Sequence, residues 1–530
     1  MTVTIRQVGI ALCVGVLASG CMANPEPPPI AEPGRDQVVT GEPTPTAVVV
    51  PTTAENGRSQ LTVGIDTLGT GFNPHLSGDD TAVTQSIADL VLPSAFIDWQ
   101  LNSTLLTSAE VIAPANGAAQ TVRYTIAAEA QWSDGTPITG ADFHYLWEQM
   151  VTTPGVIEAA GYRAIADVRV LNQGKTVEVD FTQPVANWRA LFADLLPSHI
   201  FVGGAAPFSE VLDDAIPASA GKYMVRSVDR ARGVITLNRN DRYWGPDPAT
   251  IDIVNFQEVR GSAASLIRAG QVAFVDMAPE ETTLTQLSLL PDVQTRVRDR
   301  EVELTVAFNQ NSPLVATPAE RAEVARSLDP RVIAQVAFQR SSELALRAAP
   351  TFTPAPTGST TPQAGESTSA PVERIVRVAA DPRNAVATAA AQAIVDTVNL
   401  THPAGLAATL VAELPSATNA DLLVEWLRPG DLSFYQCDSV ANVTGFCDEA
   451  VDAAIAAAVA GNLARSDLSG LLTAANSTQV ITLPIAADRR IDIAPDPAQS
   501  GVAGPAPRLE DWPVTPGVGV LPTLPLWRLQ

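Results

Sequence analysis

Two α/β lobes are predicted for this chain, on three observations. Its 530 residues exceed what one hydrophobic core usually organises, so two or three domain-sized units are expected. Hydrophobic residues make up 46%, enough for packed cores. Short apolar or alternating runs are interleaved with segments of helical spacing, before and after a low-complexity stretch at 350–371, and that alternation belongs to α/β layers.

The N-terminus reads as an address. Arg6 and the amino group form a positive region, and the apolar run Val8 to Ala18 follows. That run is shorter than the roughly 20 residues a bilayer-spanning helix needs, but it fits a signal peptide over 1–20. Leu17-Ala18-Ser19-Gly20-Cys21 resembles a bacterial lipobox, with Ala18 where Leu is usual. Cys21 is therefore the expected lipidation site, and the outer face of the cell membrane the expected location. An ordinary secretory signal with an incidental cysteine is the alternative. Residues 21–58, rich in Pro, Glu and Thr, are expected to be a disordered, extended tether. No later segment has 18 uncharged apolar residues in a row, so no transmembrane helix is expected.

The charge balance is 33 basic against 57 acidic residues, net −24. Such a surface repels phosphate backbones, so nucleic acid is excluded as a partner. It also opposes broad adhesion to anionic lipid, and attachment to a membrane then needs a covalent anchor. Cys437 and Cys447 are ten positions apart. In an oxidising compartment they are expected to form a disulfide. Two free thiols or half a metal site are the alternatives, and the metal reading is poor because all four histidines lie far away in sequence.

In the body, Leu61 to Ile65 begins the fold as a strand, and Gln120 to Ala127 alternates as a half-buried one. Asp134-Gly135 marks a tight turn, and Thr139 with Asp142 opens a helix over Phe143 to Met150. Val168 to Leu171 and Thr176 to Phe181 flank Asn172-Gln173-Gly174-Lys175 as a hairpin; this context rejects a phosphate-binding loop there. Gly221 to Val225 and Val234 to Asn240 form another strand pair, and Ile253 to Phe256 a further strand. Ser262 to Ala269 is helical and ends at Gly270. Val302 to Phe308 is a strand, followed by helices over Ala319 to Leu328 and Pro330 to Phe338. Beyond the insertion come strands at Ile375 to Ala379, Ala407 to Leu414 and Ala420 to Trp426, with a helix at Ala385 to Val398. Asp448 to Val459 is an Ala-rich helix, and Val480 to Ala486 a late strand before a Pro-rich end.

No nucleophile elbow, zinc-protease pair or dinucleotide fingerprint is present, so no catalytic residue, metal or cofactor is assigned and the chain is not expected to be an enzyme. The acid pairs Asp79-Asp80, Asp213-Asp214 and Glu280-Glu281 sit among polar neighbours and are expected on the solvated surface. His144 is expected to lie on a helix face.

Four segments in register carry a resemblance: Trp132 to Phe143; Gly221-Lys222-Tyr223 with Asn238-Arg239-Asn240 and Tyr243-Trp244-Gly245; Leu304 to Pro313; and Gly445 to Ala454. They resemble the oligopeptide- and dipeptide-binding family of extracellular solute-binding proteins, over roughly residues 59–490. The resemblance implies a type II periplasmic-binding-protein-like fold of the large oligopeptide-binder subclass, with mixed sheets and an interlobe cleft that holds a small ligand. It implies lobe I over 59–310, lobe II over 311–479 with the insertion, and 480–530 returning to lobe I. Trp132, Trp244 and Gly245 are expected to pack rather than touch ligand.

The departures matter. Where peptide binders of the family hold the peptide amine with an acid in a "W-x-x-D-Y-x-D-P" stretch, this chain has Trp426-Leu427-Arg428-Pro429-Gly430-Asp431. Only Asp431 remains as an acid, displaced, and Arg428 adds a positive charge. Trp426, Arg428, Asp431 and Asn309 are the candidate ligand residues. An Arg-rich, Pro-tethered member with a degraded peptide motif is similar to envelope lipoproteins of mycobacteria. That likeness implies binding or regulating phosphatidylinositol mannoside intermediates of lipoarabinomannan synthesis, with a membrane permease or a mannosyltransferase as partner, as a monomer. The other two expectations are a peptide receptor of an ABC importer and an interaction scaffold with a non-functional cleft.

Overall fold

The computed structural model describes residues 57–354 except Ala115, 374–413, and 420–529. The expected signal peptide, Cys21, nearly all of the tether and residues 355–371 of the insertion lie outside the described residues.

The strands, in chain order, are β1 (Gln60–Ile65), β2 (Leu106–Ile112), β3 (Gln120–Ile126), β4 (Ile165–Leu171), β5 (Thr176–Phe181), β6 (Tyr223–Asp229) and β7 (Val234–Arg239). They continue as β8 (Ile253–Glu258), β9 (Phe274–Met277), β10 (Val293–Phe308), β11 (Arg374–Ala380), β12 (Leu406–Ala412), β13 (Leu422–Leu427) and β14 (Thr482–Pro495). The main helices are α1 (Ala82–Val91), α2 (Gly140–Thr152), α3 (Pro318–Ser327), α4 (Pro330–Phe338), α5 (Ala385–Thr401), α6 (Glu449–Val459) and α7 (Arg465–Gln479).

Local chemistry explains several boundaries. Thr139 and Asp142 close a capping box on α2, with the Asp142 carboxylate accepting from the Thr139 amide at 2.9 Å. The other Asp142 oxygen accepts from the Ser198 amide and hydroxyl, tying α2 to the next segment. Asp329 and Asp448 cap α4 and α6 from the N-cap position, each carboxylate accepting from amides of the first turn. Gly135 has φ +94°, as the Asp134-Gly135 turn requires. Gly221 lies against the end of α1, where a Cβ would sit 2.3 Å from the Leu90 carbonyl, so only glycine fits.

One long sheet has the order β12-β11-β13-β10-β14-β9-β1-β8-β7-β6, and a four-stranded antiparallel sheet has the order β2-β3-β5-β4. β10 and β14 are the link. The start of β10 pairs with the end of β14, which also pairs with β9 in lobe I. The end of β10 (303–308) pairs with β13 in lobe II. Both strands are longer than the sequence predicts, and their register shifts between Asp299 and Glu303. Lobe I packs around Tyr124, Trp132, Phe143 and Trp527, so the Pro-rich C-terminal segment contributes a buried anchor. In lobe II, side chains alternate along β10: Leu304, Val306 and Phe308 face α3 to α5, while Ala307 faces α6 and α7. Trp132 and Trp244 pack as expected, the Trp244 indole donating to the Thr104 carbonyl at 2.7 Å.

The acid pair Asp79-Asp80 corrects an expectation. Both residues are buried, not solvated. The partners of Asp80 are Arg300 and Arg428, 220 and 348 positions away, so no local pattern announces them.

Candidate functional site

The seam between the lobes is built on Asp80, at the end of a helical turn that leads into α1. Its carboxylate accepts from Arg300 Nη2 at 2.9 Å and from Arg428 Nε and Nη2 at 2.7 and 2.9 Å. Burial alone would raise this carboxyl, but the two guanidiniums hold it below the usual range. Arg300 also reaches Asp488 Oδ2 at 2.9 Å and the Gly517 carbonyl at 2.7 Å. Arg428 extends to Glu158 Oε1 at 3.1 Å. Lobe II thus grips lobe I through a charge that is already satisfied.

A second clasp lies beside the first. Asp431 Oδ2 accepts from the Glu158 amide at 2.8 Å, and Oδ1 accepts from the Ser433 amide at 2.9 Å and from the Ser433 hydroxyl. The Ser433 oxygen in turn accepts from the Ala159 amide at 3.3 Å. Burial pushes the Asp431 carboxyl up to about 6, against the lowering pull of Ser433 and the Glu158 amide. Arg163 of lobe I donates to the carbonyls of Cys437 and Asp438, at 3.1 and 3.0 Å, on the loop closed by the Cys437–Cys447 bond. Ala441 of that loop packs into the lobe I core.

Next to this seam a cavity of about 830 Å³ opens over the sheet face of β10, β13 and β14, beneath α7. Its apolar wall includes Leu427, Leu432, Phe434, Leu468 and Leu472. Its polar lining includes Ser469, Thr473, Ser477 and Arg465, with the acid Glu303 on the β10 side, and Arg428-Pro429-Gly430 form its border with the seam. The volume lies in the range of small-molecule sites. Hydrocarbon can lie against the leucines and Phe434, and hydroxyls or an anionic group against Arg465 and the α7 hydroxyls, so the space suits an amphiphile.

The structure brings Arg428 and Asp431 together in the seam, where both are occupied by protein partners. Trp426 points to the other face of β13 and packs edge-on against Phe338, with ring centroids 6.1 Å apart. Asn309 shapes its own loop: its amide donates to the Ala420 carbonyl at 2.8 Å and accepts from the Asn311 amide. Sequence reasoning missed Asp80, Arg300, Glu158 and the α7 wall. A signal for Arg300 was available, because Arg296, Arg298 and Arg300 alternate along one strand and therefore share a face. Close to Arg428 lies Asp194, whose Oδ1 is buried without a partner among the described residues. Burial pushes that carboxyl up to about 7, against Ser94 and Arg428, which lower it.

Among the described residues no cluster of His, Cys, Asp and Glu could hold a metal ion, and no helix is long and apolar enough to cross a membrane.

The family profile for bacterial extracellular solute-binding proteins, family 5 (middle), matches residues 115–417. The probable monoacyl phosphatidylinositol tetramannoside-binding protein LpqW of Mycobacterium tuberculosis (strain H37Rv) is 38% identical over 342 residues, 62% of this chain and 51% of that protein. The oligopeptide-binding protein OppA of Mycobacterium bovis is 29% identical over 345 residues, 62% of this chain and 56% of that one. The chain thus spans about half the length of the curated relatives it matches. Among solved structures, the oligopeptide-binding protein AppA of Bacillus subtilis, in complex with a nonapeptide, has a TM-score of 0.64 at 13% identity, covering 89% of this chain and 99% of that one. That likeness shows the fold expected above, a type II binding-protein fold of the oligopeptide-binder class.

Proposed function

We propose that this chain, which belongs to the family 5 bacterial extracellular solute-binding proteins and so works outside the cytoplasm, binds a phosphatidylinositol mannoside in the cavity beside the interlobe seam. The observation that carries this reading is the two-sided lining: Leu427, Phe434, Leu468 and Leu472 against Ser469, Thr473 and Arg465. An acyl chain against the first set and a mannosylated headgroup against the second would match each part of the ligand to a like surface. The likeness to LpqW, a probable monoacyl phosphatidylinositol tetramannoside-binding protein, supports the same ligand class. The occupied state of Asp431 supports it too, because the acid left in the peptide-binding stretch already accepts three hydrogen bonds. On this reading the protein is a ligand-delivering or regulating receptor held at the membrane through Cys21, with a mannosyltransferase or a permease as its partner.

A second reading, capture of peptides for an ABC importer, is favoured by Asp194, whose unpartnered carboxylate oxygen could take an ammonium group, and by the likeness to OppA and AppA.

Thermal shift separates the two. A ligand at about 100-fold excess over its Kd stabilises the folded state by about 2.7 kcal/mol. A monoacyl phosphatidylinositol mannoside should raise Tm, and Leu472→Asp should abolish the rise. A rise with short peptides that Asp194→Asn removes would replace the glycolipid reading. No shift with either ligand would leave the interaction-scaffold alternative.

A further inference from the structure

A second cavity, of about 470 Å³, lies near the β6 edge of the large sheet, where the expected tether joins the folded body at Arg58. Arg58, Arg239 and Arg242 line it together with Asn238, Asp241 and Asp252. Three guanidiniums against two carboxylates leave a net positive spot on a chain whose total charge is −24.

The three arginines are not equivalent. Arg239 is committed, with Nε 3.0 Å from Asp241 and Nη1 2.6 Å from Asp252. Asp252 is committed as well, because its other oxygen accepts from the amide and hydroxyl of Ser59 at 2.9 and 2.8 Å. Arg58 and Arg242 donate no side-chain hydrogen bond to a described residue, although, against the raising effect of burial, the Arg58 charge helps to hold the Asp252 carboxyl below its usual range. The Arg242 guanidinium lies along Gly135, where a Cβ would come within 3.1 Å of Nη1. Among the other polar groups of the lining, which include Ser133 and Asn240, Asn238 Oδ1 is buried and without a donor among the described residues. A buried acceptor left unpaired costs free energy, and a ligand hydroxyl would satisfy it. Two guanidiniums with free forks favour a phosphate or phosphodiester over a simple halide, because their donors match its oxygens.

We propose that this cavity is an anion site for a polyol phosphate: Arg58 and Arg242 take the phosphate, Arg239 holds the wall, and Asn238 accepts a hydroxyl of the polyol. The shared chemistry has two sources, the glycerophosphate headgroup of a membrane lipid and a free polyol phosphate ester. The site is separate from the seam cavity and does not rest on the glycolipid reading. It also turns the global charge argument into a local one: the body as a whole is repelled by anionic lipid, and this patch is drawn to it.

The test uses the full chain carrying Cys21→Ser, so that no acyl anchor contributes. Its retention on phosphatidylglycerol vesicles is compared with that on phosphatidylcholine vesicles, and glycerol 3-phosphate is titrated calorimetrically. Retention on phosphatidylglycerol, reduced roughly fivefold by Arg58→Gln or Arg242→Gln and about thirtyfold by both, identifies a lipid headgroup. Saturable glycerol 3-phosphate binding without vesicle retention, lost in the double variant, identifies the free ester. Binding of neither probe, or binding unchanged in a double variant with native circular dichroism, overturns the site. Leu472→Asp should leave both readouts unaltered, so failure here and failure of the glycolipid reading are told apart.

Discussion

The carboxylates of Asp276 and Asp492 and that of Asp80 are held by the same chemistry, guanidinium against carboxylate, in two regions that behave differently. Asp276 and Asp492 lie on neighbouring strands, β9 and β14, inside one sheet. Arg490 Nε stands 2.9 Å from Asp276, and Arg296 Nη2 stands 3.0 Å from Asp492. Both acids have no side-chain exposure. The seam network starts equally dry at Asp80 and Arg300 but ends at Glu158, whose side chain is 65% exposed. The sheet network continues through Arg490 to Asp66, whose side chain is 24% exposed, whereas the seam network runs out to the far more exposed Glu158. Breaking the first strands a charge in the core, and breaking the second lets solvent replace a partner. Identical residue pairs thus serve as a permanent weld in one place and as a separable catch in the other.

Asp492→Ala gives the sharpest test of the weld. It leaves Arg296 without its acid, while Arg298 keeps Asp276, and should cost about 3 kcal/mol in urea unfolding. A loss below 1 kcal/mol would erase the distinction. The catch is weaker, but its loop is covalently closed. Cys437→Ser with Cys447→Ser should cost about 2–3 kcal/mol for a bond across a separation of 10 residues. Cleavage by protease within 438–446 should rise in that variant.

The pH response comes next in size. Burial raises Asp431 to about 6 in the folded state, above its ordinary value near 4, so the folded state binds the extra proton. Stability from this group therefore increases as pH falls through 6 and is lost as pH rises through it. Between pH 7 and 5 the change is about 1 kcal/mol, and Asp431→Asn should flatten it. Arg428→Met has the smallest effect on stability, about 1 kcal/mol, because Arg300 still neutralises Asp80. It should instead enlarge the radius of gyration in solution scattering as the lobes part. An unchanged radius would show that the second clasp suffices alone.

Much of the framework was legible in the sequence. Caps such as Thr139 with Asp142 act within four residues, and strands such as β5 announce themselves by composition and turn residues. Helix α1 escaped notice although Val83, Ile87, Leu90 and Val91 recur at helical spacing; the polar residues Thr84, Gln85 and Ser86 among them are buried as well. The candidate site was harder for a different reason. Arg428 and Asp431 drew attention as departures from a motif, yet what occupies them comes from residues 80 and 158, and such pairings leave no trace in a local window. The α7 wall was missed because its mean polarity hides the single face on which Leu468 and Leu472 stand, one turn apart.

Strands β10 and β14 each serve both lobes, and this constrains how the gene can change. Residues 311–479 taken alone would carry β11, β12 and β13 but not β10, one of the two strands that β13 pairs with. A single crossover between related genes would therefore deliver a lobe lacking its central strands. Exchange of lobe II needs two junctions, each inside a buried strand whose neighbours must fit, so the halves of this protein are expected to diversify together rather than as interchangeable modules.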